Sequence, residues 1–331
     1  MILGHLRLFM IAGLSRRIFK FACLSFLASL TSRANAALVP SQFAGKPLPV
    51  LCNRSMERFV LPLAHAFQRL QPDVDFKLDM AVRFPFDRSA LGTNVAEVYD
   101  DMSGAAFKAQ YGYEPLAIMV SAGGRHQPDI LQAIGVLVHP SNPLASLSMD
   151  QLEQIYAKTP RGAKPPVTTW GQLGLTGEWA DRRIVIYGVT HFGGAPGGIF
   201  NERVVGGGEL ADDCRELIHS PPMIKAVATD PGAIGYIAMC YVTPAVKTLS
   251  LVPRNDTHAF EPTEANVQNL GYPLGVPLYF SVNRSPGRPL DPTLKKFLTL
   301  ALSPEGQKII SAEGYLPLPP EALQRELAKL Q

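Results

Sequence analysis

Residues 133–139 read Ala-Ile-Gly-Val-Leu-Val-His, a short apolar run that Pro140-Ser141-Asn142-Pro143 brings to a stop. A run of this kind, rich in branched side chains and bounded by turn residues, is the signature of a strand buried on both faces. Beyond it Ser148 precedes a segment in which Leu152, Ile155 and Tyr156 fall on one face. That is the pattern of a capped amphipathic helix reaching about Ala157. The same strand-then-helix unit recurs outward in both directions. Toward the N-terminus, 48–52 (LPVLC) leads through Asn53-Arg54-Ser55 into Phe59, Leu63, Ala66, Phe67 and Leu70 at helical spacing, and 74–78 then alternates like a strand. Toward the C-terminus, 184–189 (IVIYGV) is a further buried strand. Asp291-Pro292 opens a helix with Leu294, Phe297, Leu298 and Ala301 on its core face, and Ser303-Pro304 opens another that Gly314 ends. Such alternation predicts an α/β protein with largely parallel sheets. The Pro-, Gly- and Thr-rich stretches 160–180 and 252–274 connect or decorate these units.

With 331 residues the chain is long enough for two domains, and 47% hydrophobic against 18% charged residues excludes a disordered chain. The formal charge of +3 is too small for a nucleic-acid binder. Even that charge is local. Residues 1–36 contain Arg7, Arg16, Arg17, Lys20 and Arg33 and no acid, followed from 21 to 30 by the apolar run FACLSFLASL and then by Ala34-Asn35-Ala36. A basic start, a short apolar centre and a small-x-small site together predict a secretory signal peptide over 1–36. Ser15-Arg16-Arg17-Ile18-Phe19-Lys20 resembles a twin-arginine export motif. Without those five cations, 26 of the 31 Lys and Arg face 28 acids, a formal charge of −2.

Beyond residue 36 the cysteines are Cys52, Cys214 and Cys240. Their odd number and wide spacing exclude a disulfide scaffold, leaving a Cys214–Cys240 bridge as one option and buried thiols as the other. Apolar or acidic neighbours do not lower a thiol pKa, so a catalytic cysteine is not expected. No zincin, nucleophile-elbow, Walker A or dinucleotide fingerprint is present, and the histidines are scattered without an i,i+4 pair. The sequence therefore predicts no catalytic residues, no metal ligands and no cofactor.

Two segments point to ligand binding. Asn53-Arg54-Ser55 lies between the strand 48–52 and the following helix, where free N–H groups and the positive end of the helix dipole meet. Asn53 and Ser55 add side-chain donors and Arg54 a charge, although either short polar residue can equally serve as a plain helix cap. Gly193-Gly194-Ala195-Pro196-Gly197-Gly198 follows the strand 184–189, and successive glycines let backbone N–H groups surround an oxyanion. Both segments follow strands of an α/β sheet, the usual place for a ligand.

Over nearly all of its length beyond residue 36, the chain resembles the type II periplasmic phosphate-binding proteins of bacterial ABC importers. The resemblance is carried in order by 61–74 (LPLAHAFQRLQPDV), Tyr111-Gly112-Tyr113-Glu114-Pro115 and 134–139 with Asn142-Pro143-Leu144. It continues through 148–156 with Thr169-Trp170-Gly171-Gln172-Leu173-Gly174, then Pro231-Gly232-Ala233-Ile234-Gly235-Tyr236-Ile237. Tyr272-Pro273-Leu274 with 277–280 (PLYF), and finally Leu302-Ser303-Pro304-Glu305-Gly306-Gln307-Lys308, complete it. The ligand loops differ from the family pattern. Cys52-Asn53-Arg54-Ser55 stands where the family has Gly-Ser followed by Thr; Thr190 stands at its arginine with Gly194-Ala195-Pro196 for Ser-Gly-Thr or, aligned one residue earlier, Val189 with Gly193-Gly194-Ala195.

The resemblance implies an α/β, two-lobed type II periplasmic-binding-protein fold with a ligand cleft between the lobes. It places lobe I at 37–118 and 275–331, and lobe II at 119–274. It implies an extracytoplasmic, periplasmic solute-binding protein that captures phosphate or a similar oxyanion by hinge closure and passes it to the membrane subunits of an ABC transporter. The protein would be monomeric, with no nucleic-acid partner. The ligand-binding residues so implied are Asn53, Arg54, Ser55, Thr93, Asn94, Thr190, His191, Gly193, Gly194 and Ala195. The alternative is a secreted interaction or scaffold protein that kept the fold and lost phosphate binding.

Overall fold

The runs and periodicities of the sequence form alternating strands and helices in the computed structural model, which describes residues 41, 47–53, 56–81, 93–97, 107–109, 111–127, 130, 132–189, 195–218 and 220–331. Residues 1–36, the expected signal peptide, lie outside the described residues. In chain order come β1 (Leu48–Asn53), α1 (Glu57–Leu70), β2 (Phe76–Ala81), β3 (Thr93–Glu97), β4 (Leu116–Ser121) and β5 (Gly123–Gly124). Next are β6 (Ile134–Val138), β7 (Ser146–Ser148), α2 (Met149–Tyr156), β8 (Val185–Val189), and α3 (Ala195–Phe200), which runs into a π-helical turn (Asn201–Val205). They are followed by β9 (Arg215–Leu217), α4 (Ser220–Thr229), β10 (Ala233–Ala238), β11 (Lys247–Thr248), β12 (Ser250–Val252) and α5 (Glu264–Gln268). The chain ends with β13 (Leu278–Val282), α6 (Pro292–Ala301), α7 (Pro304–Ala312), β14 (Tyr315–Leu316) and α8 (Pro320–Ala328).

Local chemistry accounts for these boundaries. Ser148 accepts from the Gln151 N–H while the Gln151 side chain accepts from the Ser148 N–H, a complete capping box that starts α2 where the sequence places it. Asp291 and Ser303 cap α6 and α7, each with Pro at the first helical position. β2 begins later than the alternation from Val74 suggests, because the Val74 N–H closes a turn onto the Gln71 carbonyl.

The described strands build two five-stranded sheets, β2-β1-β3-β13-β4 and β11-β6-β10-β8-β9. Both are mixed rather than largely parallel. β1 is parallel to β2 and β3, and β8 is parallel to β10 and β9, but β13 runs against β3 and β4, and β6 against β10 and β11. Strand–helix alternation enforces parallel pairing only where one helix joins neighbouring strands. β4 and β13 are neighbours joined through the entire second sheet, so no crossover helix fixes their direction. The two crossing segments meet: the Ile134 N–H donates to the Leu274 carbonyl at 2.9 Å and the Val276 N–H to the Gln132 carbonyl at 3.1 Å. Ala133 and Gly275 lie opposite one another between these bonds.

Each sheet has its own aromatic core. In the first, α1 brings Phe59 and Phe67 and α6 brings Phe297 to the sheet, with Phe67 edge-on to Phe297 at 5.6 Å and Phe59 edge-on to Tyr315 at 4.9 Å. α7 approaches α6 closely because it carries Gly306, where a Cβ would lie 2.0 Å from the Leu300 carbonyl oxygen. In the second, Trp170 is fully buried and donates from Nε1 to the Gly232 carbonyl at 3.2 Å, which ties the 169–174 turn to the segment entering β10.

The π turn is held by a charged clamp. Glu153 of α2 is buried; Arg161 donates to its Oε1 from the backbone N–H and from Nε, each at 2.8 Å, and Arg254 reaches Oε2 at 2.8 Å. Both guanidinium groups also donate to the Val204 carbonyl, at 3.2 and 3.1 Å. Asp150 joins the network through Lys164 at 2.9 Å and through Arg254. Burial alone would raise the Glu153 pKa, but the hydrogen bonds from Arg161 and the nearby Arg254 charge outweigh it and hold the carboxyl below its ordinary value. Asp150 is held low chiefly by Lys164 and Arg254 against a smaller burial effect.

Two predictions follow from this packing. Gly306→Ala will cost about 2 kcal/mol, the usual penalty of overpacking against fixed backbone, read as a lower urea midpoint at constant slope. Glu153 and Asp150 have folded pKa values below their unfolded ones. Their stabilising contribution is complete above the unfolded pKa and is lost as pH falls through the folded pKa. Glu153→Gln will therefore lower stability by about 2 kcal/mol at neutral pH and flatten the acid limb of melting temperature against pH.

Candidate functional site

In the first sheet, β1 ends at Asn53 and the chain enters α1 at Glu57. The cap position of α1 is taken by Met56, which makes no side-chain cap hydrogen bond. Asn53 sits at the carboxyl end of β1, opposite Ala81 of β2. Arg54 and Ser55 lie outside the described residues. Thr93 and Asn94 open β3, and its parallel register sets them beside Val50 and Leu51. The backbone thus places Thr93 and Asn94 at the amino end of their strand, whereas Asn53 stands at a carboxyl end. Glu97 closes β3 on the same side as Asn53.

In the second sheet, Thr190, His191, Gly193 and Gly194 lie outside the described residues, and Ala195 begins α3. The structure describes in detail what fixes the two ends of that segment. On the incoming side, Val189 is the last residue of β8, and the Tyr236 hydroxyl engages both of its backbone groups. The Val189 N–H donates to Tyr236 Oη at 3.1 Å, and the hydroxyl donates to the Val189 carbonyl at 3.3 Å. On the outgoing side, Phe200 at the end of α3 stacks on the Tyr236 ring at 3.6 Å with the planes 2° apart. Tyr156 packs edge-on against both rings and donates to the Tyr187 carbonyl at 3.2 Å. One β10 tyrosine therefore holds both the strand before the segment and the helix after it. Burial pushes the Tyr236 hydroxyl pKa well up, only partly offset by the Val189 N–H, so it remains protonated and keeps its donor.

Beside Val189 and α3 opens a cavity of about 570 Å³ whose wall includes Asn201, Glu209, Asp212, Cys214 and Glu216. Lys158 bridges Glu209 at 3.1 Å and Asp212 at 2.9 Å. The carboxylates make this wall a poor place for an anion, which separates the cavity from an oxyanion site. No disulfide joins Cys214 and Cys240. The Cys214 thiol is pushed up to about 12 by burial and then by Glu216 and Asp213, so it is a packing group and not a nucleophile. Among the described residues no group of His, Cys, Asp and Glu is placed to hold a metal ion, and no helix is long and apolar enough to cross a membrane.

The sequence motifs included Tyr236 but not its task, because its partner Val189 is 47 residues away in sequence. Nothing local in 231–237 marks that hydroxyl as the anchor of a distant strand end. The Glu153 clamp was equally hidden, since its arginines come from 161 and 254.

Two mixed sheets, crossed twice by one chain and each ending a strand at a segment that leads into a helix, define a two-lobed solute-binding protein. The family model described as a PBP superfamily domain matches residues 94–305. The phosphate-binding protein PstS of Pseudomonas aeruginosa is 32% identical over 274 residues, which cover 81% of either chain. The fold is similar to that of an ABC-type phosphate transport receptor from Vibrio cholerae, with a TM-score of 0.52 and 19% identity over 81% of this chain and 99% of that one. It is also similar to PstS from Borrelia burgdorferi, with a TM-score of 0.57 and 13% identity over 83% of this chain and 99% of that one. The chain belongs to the PBP superfamily, with the two-lobed fold of the periplasmic phosphate-binding proteins.

If Tyr236 anchors the end of β8, Tyr236→Phe will leave the buried Val189 N–H without its acceptor. The expected cost is about 1–3 kcal/mol in chemical denaturation. Faster amide exchange at Val189 than at Ile186, in the middle of the same strand, will locate the loss.

Proposed function

We propose that this protein captures phosphate, or an oxyanion close to it in shape and charge, and delivers it to the membrane subunits of an ABC transporter. The observation that carries this reading is the 32% identity to a phosphate-binding protein along 81% of the chain. Lobe I comprises 37–118 and 275–331, and lobe II comprises 119–274. The anion sits between Asn53-Arg54-Ser55 on one lobe and the 190–195 segment on the other. There, backbone N–H groups at strand ends and helix starts supply most of the donors. Ligand contact with both lobes shifts the open–closed equilibrium about the paired crossing segments, and the transporter reads the closed form. Binding alone is required, with no cofactor and no bond made or broken. The protein works as a monomer in the periplasm, exported by the segment 1–36.

Calorimetry and thermal shift of the purified protein with phosphate, sulfate and molybdate test this proposal. Phosphate is expected to bind at about micromolar Kd and, at a hundredfold excess over Kd, to stabilise the fold by about 2.7 kcal/mol. Asn53→Ala with Ser55→Ala is expected to abolish that shift. If no oxyanion raises the melting temperature, phosphate capture is wrong and the secreted interaction or scaffold protein takes its place.

A further inference from the structure

The π-helical turn Asn201–Val205 continues α3, the helix that follows the 190–194 segment, and its geometry aims one side chain away from its own lobe. A π turn carries an extra residue per turn relative to an α-helix, which rotates the side chains that follow it and recurs at functional sites. Here the Arg203 guanidinium donates to the Gly275 carbonyl. That carbonyl belongs to the crossing segment that returns the chain to the first sheet. In the pairing of the two crossings, the bonds are made by Ile134 with Leu274 and by Val276 with Gln132, which leaves the carbonyl of the buried Gly275 outside the ladder. A buried carbonyl needs a donor, and Arg203 supplies it.

Both ends of this link are fixed. The backbone next to Arg203 is clamped at the Val204 carbonyl by Arg161 and Arg254, themselves held by buried Glu153. Asn201 donates to the Gly208 carbonyl at 2.8 Å and closes the turn from the other side. At the crossing, the Tyr272 hydroxyl donates to the Ile134 carbonyl at 2.9 Å. The Gln132 side chain is buried there with an unpartnered Oε1.

We propose that Arg203 is a positioning residue for ligand capture. It ties α3 and its π turn to the crossing strand, so that helix and crossing move as one unit. The inference rests on the reading of 190–195 as a ligand segment. Arg203 touches no ligand in this scheme. It acts by preorganisation, removing the ordering that an untethered helix would have to undergo on binding.

The test uses the purified full chain and inorganic phosphate, with Arg203→Met and Arg203→Lys. Fluorophores introduced through unnatural amino acids at the exposed positions Lys225 and Lys295, one beside each sheet, report the distance between the two halves without ligand. Arg203→Met is expected to weaken phosphate about fivefold, mainly through faster dissociation, and to broaden the ligand-free distance distribution. Arg203→Lys, which keeps a donor, is expected to recover most of both. A wild-type distance distribution in Arg203→Met, with affinity unchanged or reduced only in step with melting temperature, would overturn the proposal. If the wild-type protein binds no phosphate, the ligand reading fails, while the ligand-free distance distributions still decide whether Arg203 couples helix to crossing.

Discussion

The chain leaves its first sheet after β4 and returns to it as β13, and these two passages must lie side by side. Their pairing around Ala133 and Gly275 is the constraint from which the rest of the architecture follows. It makes β13 an inner strand of the first sheet, antiparallel to both neighbours, and lets the second sheet be completed from one continuous stretch of chain. Two hydrogen bonds and one tyrosine hydroxyl are a slender link beside the aromatic cores on either side. A slender link between two well-packed bodies is where a protein bends, since the cores resist deformation far more than the joint does.

The second constraint concerns how the two ends of the 190–194 segment are fixed. Here the work falls to residues outside the loop. Tyr236 holds the incoming strand by both backbone groups and the outgoing helix by its ring. The Glu153 clamp holds the turn beyond that helix through the Val204 carbonyl. These anchors lie on α2, β10 and the segment around 254, so the glycine-bearing segment is framed by elements far apart in sequence. Glu153 is a buried carboxylate whose desolvation is offset only while both guanidinium groups remain in place, which makes the clamp all-or-none.

How much of this was legible in the sequence depended on the range of the interaction. Caps and turns are local, so Ser148, Asp291 and Ser303 marked their helices correctly and Gly314, at φ 90°, marked an end. Strand direction is not local, and the expectation of largely parallel sheets failed at β13 and β6 for that reason. α4 and α8 were not among the elements expected from the sequence; both carry proline in the first turn, where a helix tolerates it. The strands that precede the two candidate segments were legible, as β1 and β8. Their supports were not, because Tyr236, Glu153 and Arg203 find their partners 8 to 101 residues away, where periodicity and motif spacing carry no information.

Charge then decides what such a site must rely on. Beyond residue 36 the chain carries a formal charge of −2, and the cavity beside α3 is walled by carboxylates. An oxyanion would therefore gain nothing from the overall field. Favourable energy must come at short range from N–H groups aimed at the ligand, and such bonds weaken steeply with misalignment. In a site without a guanidinium, backbone orientation matters more than in one centred on it. The chain concentrates rigid interactions at the two ends of the 190–194 segment, the arrangement that a site short of charge requires.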